Sequence, residues 1–268
     1  MNAFIDKLTK AQKKNNSLIC VGLDSDIDVL PEHLQDSGDP VFEFNKAIID
    51  ATCNGCCAYK PNLAFYESLG PRGLETLKKT IMHIPPDIPV ILDAKRGDIG
   101  NTAQKYAEAI FDDLEGDAVT VSPYMGYDSI EPFLKYQDSF VFVLAVTSNK
   151  GAQDFQYLNC DGKPLYMHVV DKVSSWNTDG NLGLVVGASQ PEQIREIRVR
   201  APHLPFLIPG VGAQGGDLSK AVEYGTMLDG IVVINVARGV IFASNGKDFA
   251  DAAAEALQAF NFRISQMR

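Results

Sequence analysis

The sequence predicts an α/β protein, a single-domain (β/α)8 barrel of the TIM type that spans residues 1–268. Short β-branched apolar runs, each ended by Gly, Pro, Asp, Asn or Ser, alternate with longer stretches of helical period. This alternation is typical of βα units on a parallel sheet, and the eight units counted here close naturally into a barrel. The hydrophobic content of 46% and the charged content of 22% are those of a folded globular chain. An open, doubly wound sheet is the alternative that the same alternation permits.

The eight apolar runs are spread over the whole chain, which leaves no stretch for a second core. They occupy residues 18–24, 56–60, 90–93, 118–122, 140–146, 182–187, 206–209 and 230–235. In a barrel the loops that follow the strands carry the chemistry, so we expect functional side chains just after these runs.

Three helical signals and one long connection lie between the runs. Asp39 followed by Pro40 has the residue types of an N-cap and a first helical position, and predicts a helix that continues to about residue 52. Ser189 begins the sequence Ser-Gln-Pro-Glu, which has the spacing of a capping box after the sixth run. Residues 250–262 have strong helix propensity and would close the ring. Residues 149–163 form the longest loop and are a candidate lid.

Charge and composition exclude several classes of protein. The formal net charge is −10 and no basic cluster could neutralise a run of phosphates, so we expect no nucleic-acid partner. The N-terminal residues lack the apolar segment of a signal peptide, and the longest apolar run, 140–146, is too short to span a bilayer. We therefore expect a cytoplasmic protein without membrane contact. Five cysteines, an odd number, favour reduced thiols over a disulfide framework.

Charged residues close several of the apolar runs, on the face where barrel enzymes carry their chemistry. Asp24 ends the first run and Lys60 the second, while the third ends in Asp93 and is followed by Lys95 and Asp98. Because residues two apart on a strand face the same way, we expect Asp93 and Lys95 to point together into the barrel mouth. Two flanking carboxylates favour the ammonium form of Lys95, which suits it to donate a proton.

Each of these residues also has a purely structural interpretation. A lone Asp-x-Lys pair is more often an ion pair at a strand end, and Lys60 alone is equally consistent with a lysine whose stem lies along apolar surface. The cluster as a whole favours chemistry, since a third carboxylate and a second lysine at the same face would be a costly way to gain stability.

A glycine-rich segment follows the seventh run. Residues 209–216 read Pro-Gly-Val-Gly-Ala-Gln-Gly-Gly, and the eighth run is followed by Arg238 and Gly239. Glycines let backbone N–H groups approach an anion, and the loops after strands seven and eight are where barrels usually bind phosphate. Arg238 offers a planar fork for phosphate oxygens. The segment also matches G-x-G-x-x-G, but a dinucleotide fingerprint belongs after the first strand, and a plain turn is the other alternative.

Cysteine and histidine spacing does not predict a metal site. Cys53, Cys56 and Cys57 are close in sequence, but Cys53 falls at a helix end. Adjacent strand residues such as Cys56 and Cys57 point to opposite faces. The four histidines are scattered and none closes a run, and no Ser-His-Asp arrangement stands out. We therefore expect inert, reduced thiols and no metal ion.

The segment from Asp93 to Thr102 identifies a family. It reads Asp-Ala-Lys-Arg-Gly-Asp-Ile-Gly-Asn-Thr and resembles the Asp-x-Lys-x-x-Asp-Ile-x-x-Thr signature of orotidine 5′-phosphate decarboxylases. Residues 21–24, 59–67, 186–189, 209–217 and 238–239 fall in the family's order, so the resemblance covers nearly the whole chain. The form Lys-Arg-Gly-Asp-Ile, with Lys-Pro-Asn after the second run, resembles the longer prokaryotic branch of the family.

The resemblance implies a homodimeric barrel with shared active sites that uses neither metal nor cofactor. Its substrate would be orotidine 5′-phosphate and its products UMP and CO2, in the last step of de novo pyrimidine synthesis. Lys95 would protonate C6 as the carboxylate departs, and Asp93 would lie near that carboxylate. Asp98 and Thr102 would reach into the site of the partner subunit. Because loss of CO2 leaves charge on a ring carbon with little delocalisation, the reaction requires a positioned ammonium and preorganised electrostatics.

The resemblance also implies how the substrate is held. Asp24 and Lys60 would bind ribose hydroxyls. Ser148 would contact the pyrimidine, with its neighbour Thr147 as the alternative. The remaining substrate-binding residues, at the phosphate side, would be Pro209, Gln214, Arg238 and Gly239.

Three other functions fit parts of the pattern. A relative of 3-keto-L-gulonate 6-phosphate decarboxylase would share the Asp-x-Lys-x-x-Asp core but would use Mg²⁺ and further acidic ligands at strand ends, where this chain has Lys60-Pro-Asn. A Schiff-base aldolase would need a desolvated lysine rather than one between carboxylates. A barrel that binds a nucleotide or sugar phosphate without turnover would have no need of the complete acid-lysine-acid set.

Overall fold

Eight parallel strands form one sheet that curves into a barrel in this computed structural model, which describes residues 2–212 and 215–267. The strands are β1 (Ile19–Leu23), β2 (Ala58–Pro61), β3 (Ile91–Arg96), β4 (Ala118–Val121), β5 (Phe140–Val146), β6 (Leu182–Val186), β7 (Phe206–Pro209) and β8 (Val232–Val236). Their order is β2-β1-β8-β7-β6-β5-β4-β3. Two parallel bridges, Tyr59 to Val90 and Asn62 to Asp93, bring β2 against β3 and nearly close the ring. The predicted (β/α)8 barrel is therefore confirmed, and the open doubly wound sheet is wrong.

Helices connect the strands and surround them. The α-helices are α1 (Ala3–Lys14), α2 (Glu32–Gln35), α3 (Pro40–Thr52), α4 (Leu63–Glu67), α5 (Pro71–His83), α6 (Gly100–Glu108), α7 (Glu131–Leu134), α8 (Leu165–Trp176), α9 (Pro191–Arg200), α10 (Leu218–Gly225), α11 (Arg238–Ile241) and α12 (Phe249–Ser265). Shorter segments are the 3₁₀ turns Ile27–Val29, Tyr127–Ser129, Lys150–Asp154 and Met227–Asp229 and the π-helical turn Ala109–Asp113. An antiparallel hairpin pairs Asn159–Cys160 with Lys163–Pro164. None of the helices within the described residues is both long and apolar enough to cross a membrane.

Two of the predicted helices are confirmed. The Asp39 side chain accepts a hydrogen bond from the backbone N–H of Phe42 (3.3 Å), and Pro40 is the first residue of α3. Proline fits there because the first N–H groups of a helix have no intrahelical partner. The helix predicted at residues 250–262 is part of α12, which is longer at both ends.

The capping box predicted before α9 is wrong. The N-cap of α9 is Gln190 rather than Ser189, and no side-chain capping bond forms there. Pro191 fixes the first helical residue, since its ring presets the helical φ, and Ser189 therefore falls one residue outside the cap. The predicted connection at residues 149–163 lies between β5 and α8, and it contains a 3₁₀ turn and the hairpin. The candidate lid is thus a structured connection.

The amino-terminal end of the barrel is filled by aromatic side chains. Phe4 of α1 stacks on Phe140 of β5, with ring centroids 5.0 Å apart, and meets Phe142 edge-on at 5.9 Å. All three rings are buried, and Lys7 of α1 forms an ion pair at 2.8 Å with Asp117, the residue before β4. Helix α1 therefore closes this end of the barrel, and the polar side chains of the interior gather at the opposite end.

All five cysteines are free thiols, and Cys53 lies at a helix end as predicted, whereas Cys56 and Cys57 lie just before β2 rather than in it. Cys53 follows α3 as its C-cap, Cys56 packs between sheet and helices, and Cys57 packs inside the barrel. Burial raises the pKa of the Cys56 thiol to about 12 and that of Cys57 above its usual range. Among the residues that the structure describes, no group of three His, Cys, Asp or Glu side chains is arranged to hold a metal ion.

Candidate active site

A cavity of about 400 Å³ opens at the carboxyl ends of the strands. Its wall is built from successive strand ends, because alternate residues of each strand face the barrel interior. The predicted site residues that line it are Asp24, Lys60, Asp93, Lys95, Ser148, Pro209, Arg238 and Gly239. Residues that the sequence analysis did not single out also line it, among them Asn62, Thr120, Asn149 and Asn235.

Lys60 is buried between two carboxylates at the wall of the cavity. Its side chain is 3% exposed, and Nζ lies 2.7 Å from Oδ2 of Asp93 and 3.9 Å from Oδ1 of Asp24. Burial opposes the charge on Lys60, but the attraction of Asp93 and Asp24 outweighs it and raises the pKa of the ammonium. The structural alternative, in which the Lys60 head group reaches water along apolar surface, is therefore wrong.

Asp93 is the carboxylate that joins the two lysines. It accepts hydrogen bonds from Lys60 Nζ through Oδ2 and, through Oδ1, from Lys95 Nζ (2.5 Å) and Thr120 Oγ1 (2.9 Å). Burial disfavours its ionised form, but Lys60 and Lys95 outweigh burial, and the pKa of Asp93 falls below its usual range. The carboxylate is thus ionised and fixed by three donors.

Asp24 differs from Asp93, although both lie beside Lys60. Burial dominates at Asp24 and raises the pKa of its carboxyl, because Lys60 is 3.9 Å away rather than in hydrogen-bond contact. Its Oδ1 is buried and has no hydrogen-bond donor among the residues that the structure describes. Asp24 therefore presents an acceptor that a bound molecule can satisfy.

Lys95 lies at a break in β3. Its φ is 47°, in the left-handed region, and the register with β4 shifts between Leu92 and Arg96. The backbone N–H of Lys95 donates to Thr120 Oγ1 (3.0 Å), which stabilises the break. The side chain is 51% exposed and its Nζ lies 2.5 Å from Oδ1 of Asp93. The two residues are neighbours as predicted, but a strained bulge rather than a regular strand brings them together.

Asp98 and Thr102 lie outside the cavity. Asp98 Oδ1 accepts a hydrogen bond from the N–H of Ile99 (2.8 Å), and Thr102 is exposed on α6. Within the described part of the chain no ion pair joins Asp98 to Lys95, so the prediction that both neighbouring carboxylates flank Lys95 is wrong for a single chain. The bulge at Lys95 turns its ammonium towards Asp93, and Asp98 is left beyond the strand end.

Glycines and one arginine form the side of the cavity between β7 and β8. The glycines that line it are Gly210 and Gly239. Gly210 and, farther along the same segment, Gly212 and Gly215 have positive φ angles of 95°, 80° and 77°, which glycine adopts without strain. Arg238 begins α11 and lines the same side. Gln214, the other side chain predicted to bind phosphate, lies outside the described residues.

The segment after β5 is held by one glutamine. Gln156 accepts a hydrogen bond from the N–H of Thr147 through Oε1 and donates one from Nε2 to Thr147 Oγ1, both at 2.8 Å. Thr147 Oγ1 in turn donates to Oδ1 of Asn149 (2.6 Å). Ser148 Oγ is buried without a partner among the described residues, beside Gly187, where an added Cβ would lie only 2.4 Å from it. Of the two hydroxyls, only that of Ser148 has no hydrogen-bond partner among the described residues.

Strand alternation could have found two of the residues that the sequence analysis missed. Thr120 and Asn235 each lie two residues beyond an interior residue, Ala118 on β4 and Val233 on β8. Both therefore face the interior near a strand end. Gln156, by contrast, lies in the long connection, and no sequence pattern links it to the end of β5.

The sequence and the fold are similar to those of known proteins. The sequence model of the Orotidine 5′-phosphate decarboxylase / HUMPS family matches residues 17–253. The orotidine 5′-phosphate decarboxylase of Dehalococcoides mccartyi (strain CBDB1) is 49% identical over 270 residues, which cover 99% of this chain and 98% of the relative. That of Herpetosiphon aurantiacus is 51% identical over 259 residues, 96% of each chain. The solved structure of Leishmania donovani OMP decarboxylase has a TM-score of 0.82 at 40% identity, covering 97% of this chain and 99% of that one.

The similarity extends to the part of the chain that forms the cavity. The matched range contains every strand of the barrel and every predicted site residue from Asp24 to Gly239. The relatives cover almost the full length of the chain at about half identity. The chain is therefore an enzyme of the orotidine 5′-phosphate decarboxylase / HUMPS family.

Proposed function

We propose that the protein converts orotidine 5′-phosphate to UMP and CO2 in the synthesis of pyrimidine nucleotides. The observation that carries the proposal is the line of alternating charges Asp24, Lys60, Asp93 and Lys95 at the carboxyl ends of three neighbouring strands. Relatives that are about half identical to this chain are named for that reaction. The cavity, at about 400 Å³, is of the size that holds small molecules.

Lys95 is the proposed proton donor. The bond between C6 and the substrate carboxylate breaks, CO2 leaves, and the electron pair stays on C6. One proton then passes from Lys95 Nζ to that carbon, and solvent restores the ammonium. The half-exposed ammonium lines the cavity and is held by Asp93 at 2.5 Å, so its charge is in position before the reaction begins.

Asp93 contributes to the reaction in two ways. Its carboxyl is ionised, because Lys60 and Lys95 outweigh burial and lower its pKa, and it therefore fixes Lys95 beside the reacting carbon. A substrate carboxylate near Asp93 would meet like charge, and departure of CO2 relieves that repulsion. Lys60 bonds to the other oxygen of Asp93 and keeps the carboxylate from turning away.

The other predicted residues are assigned to different parts of the substrate. Asp24 and Lys60 are assigned to the ribose hydroxyls, and Oδ1 of Asp24 is free to accept one. Ser148 is assigned to the pyrimidine, because the Thr147 hydroxyl already has two partners. The residues assigned to the phosphate are Pro209, Gln214, Arg238 and Gly239. Of these, Pro209, Arg238 and Gly239 line the cavity, where an arginine fork and glycine backbone come together.

A homodimer with shared active sites is part of the proposal. Asp98 and Thr102 lie outside the cavity, on the segment that leaves β3. Apolar side chains are exposed in the same region: Ile99 is 48% exposed, and Tyr124 and Met125, which follow β4, are 85% and 47% exposed. Exposed apolar surface of this kind favours association. Pairing two subunits through it would bring Asp98 and Thr102 to the cavity of the partner.

The proposed reaction requires neither a metal ion nor an organic cofactor. The ammonium of Lys95 supplies the positive charge at the reacting carbon, and no electrons leave the substrate, so no redox partner takes part. We further propose that residues 1–268 act as one domain and that the enzyme works in the cytoplasm.

The proposal is tested by following the ultraviolet absorbance of orotidine 5′-phosphate with purified protein in a buffer that contains a strong chelator. Conversion to UMP is the expected result. Tight binding of UMP without conversion would overturn the proposal in favour of a barrel that binds nucleotides without turnover. Neither binding nor conversion would overturn it in favour of a sugar-phosphate enzyme, to be assayed with Mg²⁺ restored.

Mixed dimers test the shared site. Lys60→Ala impairs the cavity of its own subunit, whereas Asp98→Ala impairs the cavity of the partner. A dimer with one subunit of each kind keeps one intact site, so verified mixed dimers should recover up to about half of the wild-type turnover. Absence of recovery would contradict the role of Asp98 across the interface.

A further inference from the structure

Asn235 is a buried polar residue of the cavity that the proposed mechanism does not use. It lies near the end of β8, in register with Cys20 of β1 and Pro209 of β7. Val233, two residues earlier, packs inside the barrel, so the alternation of the strand turns Asn235 inward as well. The residue is 7% exposed and lines the cavity. Its carboxamide therefore faces the space that a substrate would fill.

The Asn235 carboxamide oxygen has no hydrogen-bond donor within residues 2–212 and 215–267, although it is buried. Asn45, a fully buried asparagine, has hydrogen-bond partners for both its carboxamide oxygen and its nitrogen. Its Oδ1 accepts from Ser25 Oγ (2.5 Å), and its Nδ2 donates to the hydroxyls of Tyr66 (3.0 Å) and Thr80 (3.1 Å). Asn45 thus has the bonds of a structural residue, and Asn235 does not.

The neighbouring strand packs closely beside this carboxamide. A Cβ added to Gly22 of β1 would lie 3.2 Å from Oδ1 of Asn235 and 2.6 Å from the Cβ of Ala237. Glycine at this position therefore lets β1 pack closely against the end of β8 without a side chain that would press on Oδ1. Asp24, two residues after Gly22, also has a buried Oδ1 without a donor in the described part of the chain. The wall formed by β8 and β1 therefore has two hydrogen-bond acceptors, Oδ1 of Asn235 and Oδ1 of Asp24, that have no donor among the described residues.

We propose that Asn235 is a further substrate-binding residue, whose carboxamide oxygen accepts a hydrogen bond from a hydroxyl of the bound ribose. The inference rests on the proposed function, since it takes the nucleotide of that reaction as the ligand. Two acceptors without donors match a group that carries two hydrogen-bond donors, and the ribose diol is the part of the nucleotide with that chemistry. The phosphate offers acceptors, and the pyrimidine ring offers one N–H donor.

The test compares the affinities of the wild type and of Asn235→Leu for UMP, 2′-deoxy-UMP and 3′-deoxy-UMP. Leucine has nearly the shape of asparagine but forms no hydrogen bond. We expect the variant to bind UMP about 10-fold more weakly than the wild type. For one of the two deoxynucleotides, the affinities of the variant and the wild type should agree within about twofold, because that ligand lacks the ribose hydroxyl that donates to Asn235.

Thermal unfolding without ligand separates binding from folding. Leucine removes a buried acceptor that has no donor, so we expect Asn235→Leu to unfold at the wild-type temperature or above it. Asn45→Leu, which breaks three hydrogen bonds, should unfold at a lower temperature. Asn235→Ala is a second, smaller variant for which the same pattern of nucleotide affinities is expected.

Two results would overturn the inference. One is wild-type affinity of both Asn235 variants for UMP, and the other is an equal loss of affinity for UMP and for both deoxynucleotides. The proposed function fails in a different way, which is a wild-type protein that does not convert orotidine 5′-phosphate to UMP, whether or not it binds UMP.

Discussion

The two ends of the barrel interior belong to the same strands but have opposite chemistry. At the amino-terminal end, Phe4, Phe140 and Phe142 pack ring against ring. At the carboxyl end, Lys60 and Asp93 hold opposite charges 2.7 Å apart, with only 3% and 11% of their side chains exposed. The same alternation of residues along each strand therefore builds an apolar core at one end and a charged site at the other.

This difference predicts that catalysis depends on one end of the barrel only. Burial of a large apolar side chain stabilises the fold by about 1.5–3 kcal/mol. For a buried ion pair, the cost of removing both charges from water offsets most of their attraction. We therefore expect substitutions at the aromatic end to change the free energy of unfolding but not turnover. Substitutions at the charged end should change turnover, and should also destabilise the fold where they leave a buried charge without its partner.

The largest effect is expected at Lys95. Lys95→Ala removes the proposed proton donor, so kcat for orotidine 5′-phosphate should fall by at least about 10³-fold. Because the side chain is 51% exposed, the free energy of unfolding should change by about 1 kcal/mol or less. UMP should still bind. Steady-state kinetics measure kcat, calorimetry measures UMP affinity, and urea unfolding measures the free energy of unfolding.

Lys105→Ala is the matched control for that variant. Lys105 is an exposed lysine of α6, paired with Glu108 at 2.5 Å, and its removal should leave kcat and UMP affinity unchanged. Wild-type kcat in Lys95→Ala would contradict the proposed proton donor.

Asp93→Asn should reduce both activity and stability, because Asp93 joins the two lysines. The variant leaves buried Lys60 with Asp24 alone, at 3.9 Å. We expect the free energy of unfolding to fall by about 3–5 kcal/mol and kcat by about 10²-fold or more. Asp113→Asn, at an exposed ion pair with Lys78, is the control and should change stability by about 1 kcal/mol or less. Equal stability of both variants in urea unfolding would contradict the role of the buried pair.

The contribution of Asp93 to stability should depend on pH. Burial would raise the pKa of Asp93, but Lys60 and Lys95 outweigh it, so the pKa is lower in the folded protein than in the unfolded chain, where it is about 3.9. Such a group stabilises the fold above its unfolded pKa and loses this contribution as the pH falls towards its folded pKa. The difference in unfolding free energy between wild type and Asp93→Asn should therefore shrink below about pH 5. A difference that grows on acidification would contradict the lowered pKa.

Phe140→Ala should match Asp93→Asn in stability but not in catalysis. Phe140 is fully buried between Phe4 and Phe142, and truncation leaves a cavity that lowers the free energy of unfolding by about 3–5 kcal/mol. The ring lies at the end of the barrel opposite the site, so kcat per folded molecule should stay within about twofold of the wild type. A large loss of kcat in folded Phe140→Ala would show that the two ends are not separate.

The smallest effect is expected at Gln156, which positions the segment after β5. Gln156→Leu breaks both hydrogen bonds to Thr147, so we expect KM to rise about 3- to 10-fold, with a smaller change in kcat. Gln156→Glu keeps an acceptor for the N–H of Thr147 and should recover part of the loss. Gln153→Ala, at an exposed neighbouring position, should change neither constant. An unchanged KM in Gln156→Leu would show that the segment keeps its place without the glutamine.

The barrel and the centre of the site can be predicted from signals within single segments. Asp24, Lys60, Asp93 and Lys95 all line the cavity, because the end of a strand fixes the direction and the depth of the side chains that follow it. The cap of α3 by Asp39 is local in the same sense. Such features need no knowledge of how distant segments pack.

Features that depend on contacts between segments are not predictable in this way. Thr120 bonds to the Asp93 carboxylate and to the Lys95 backbone, and this arrangement exists only with the bulged register of β3 against β4. The same bulge leaves Asp98 away from Lys95 in a single chain. Gln156 reaches the end of β5 because the connection folds back through its 3₁₀ turn.

Hydrogen exchange at C6 of UMP in D2O tests most directly the central claim, that Lys95 beside Asp93 transfers the proton. A group that donates a proton in one direction removes it in the reverse direction, so the wild type should exchange the C6 hydrogen of UMP for deuterium. Proton NMR measures the loss of the C6 hydrogen signal. Lys95→Ala, saturated with UMP, should show no exchange above the rate without protein. Exchange at the wild-type rate in Lys95→Ala would contradict the account.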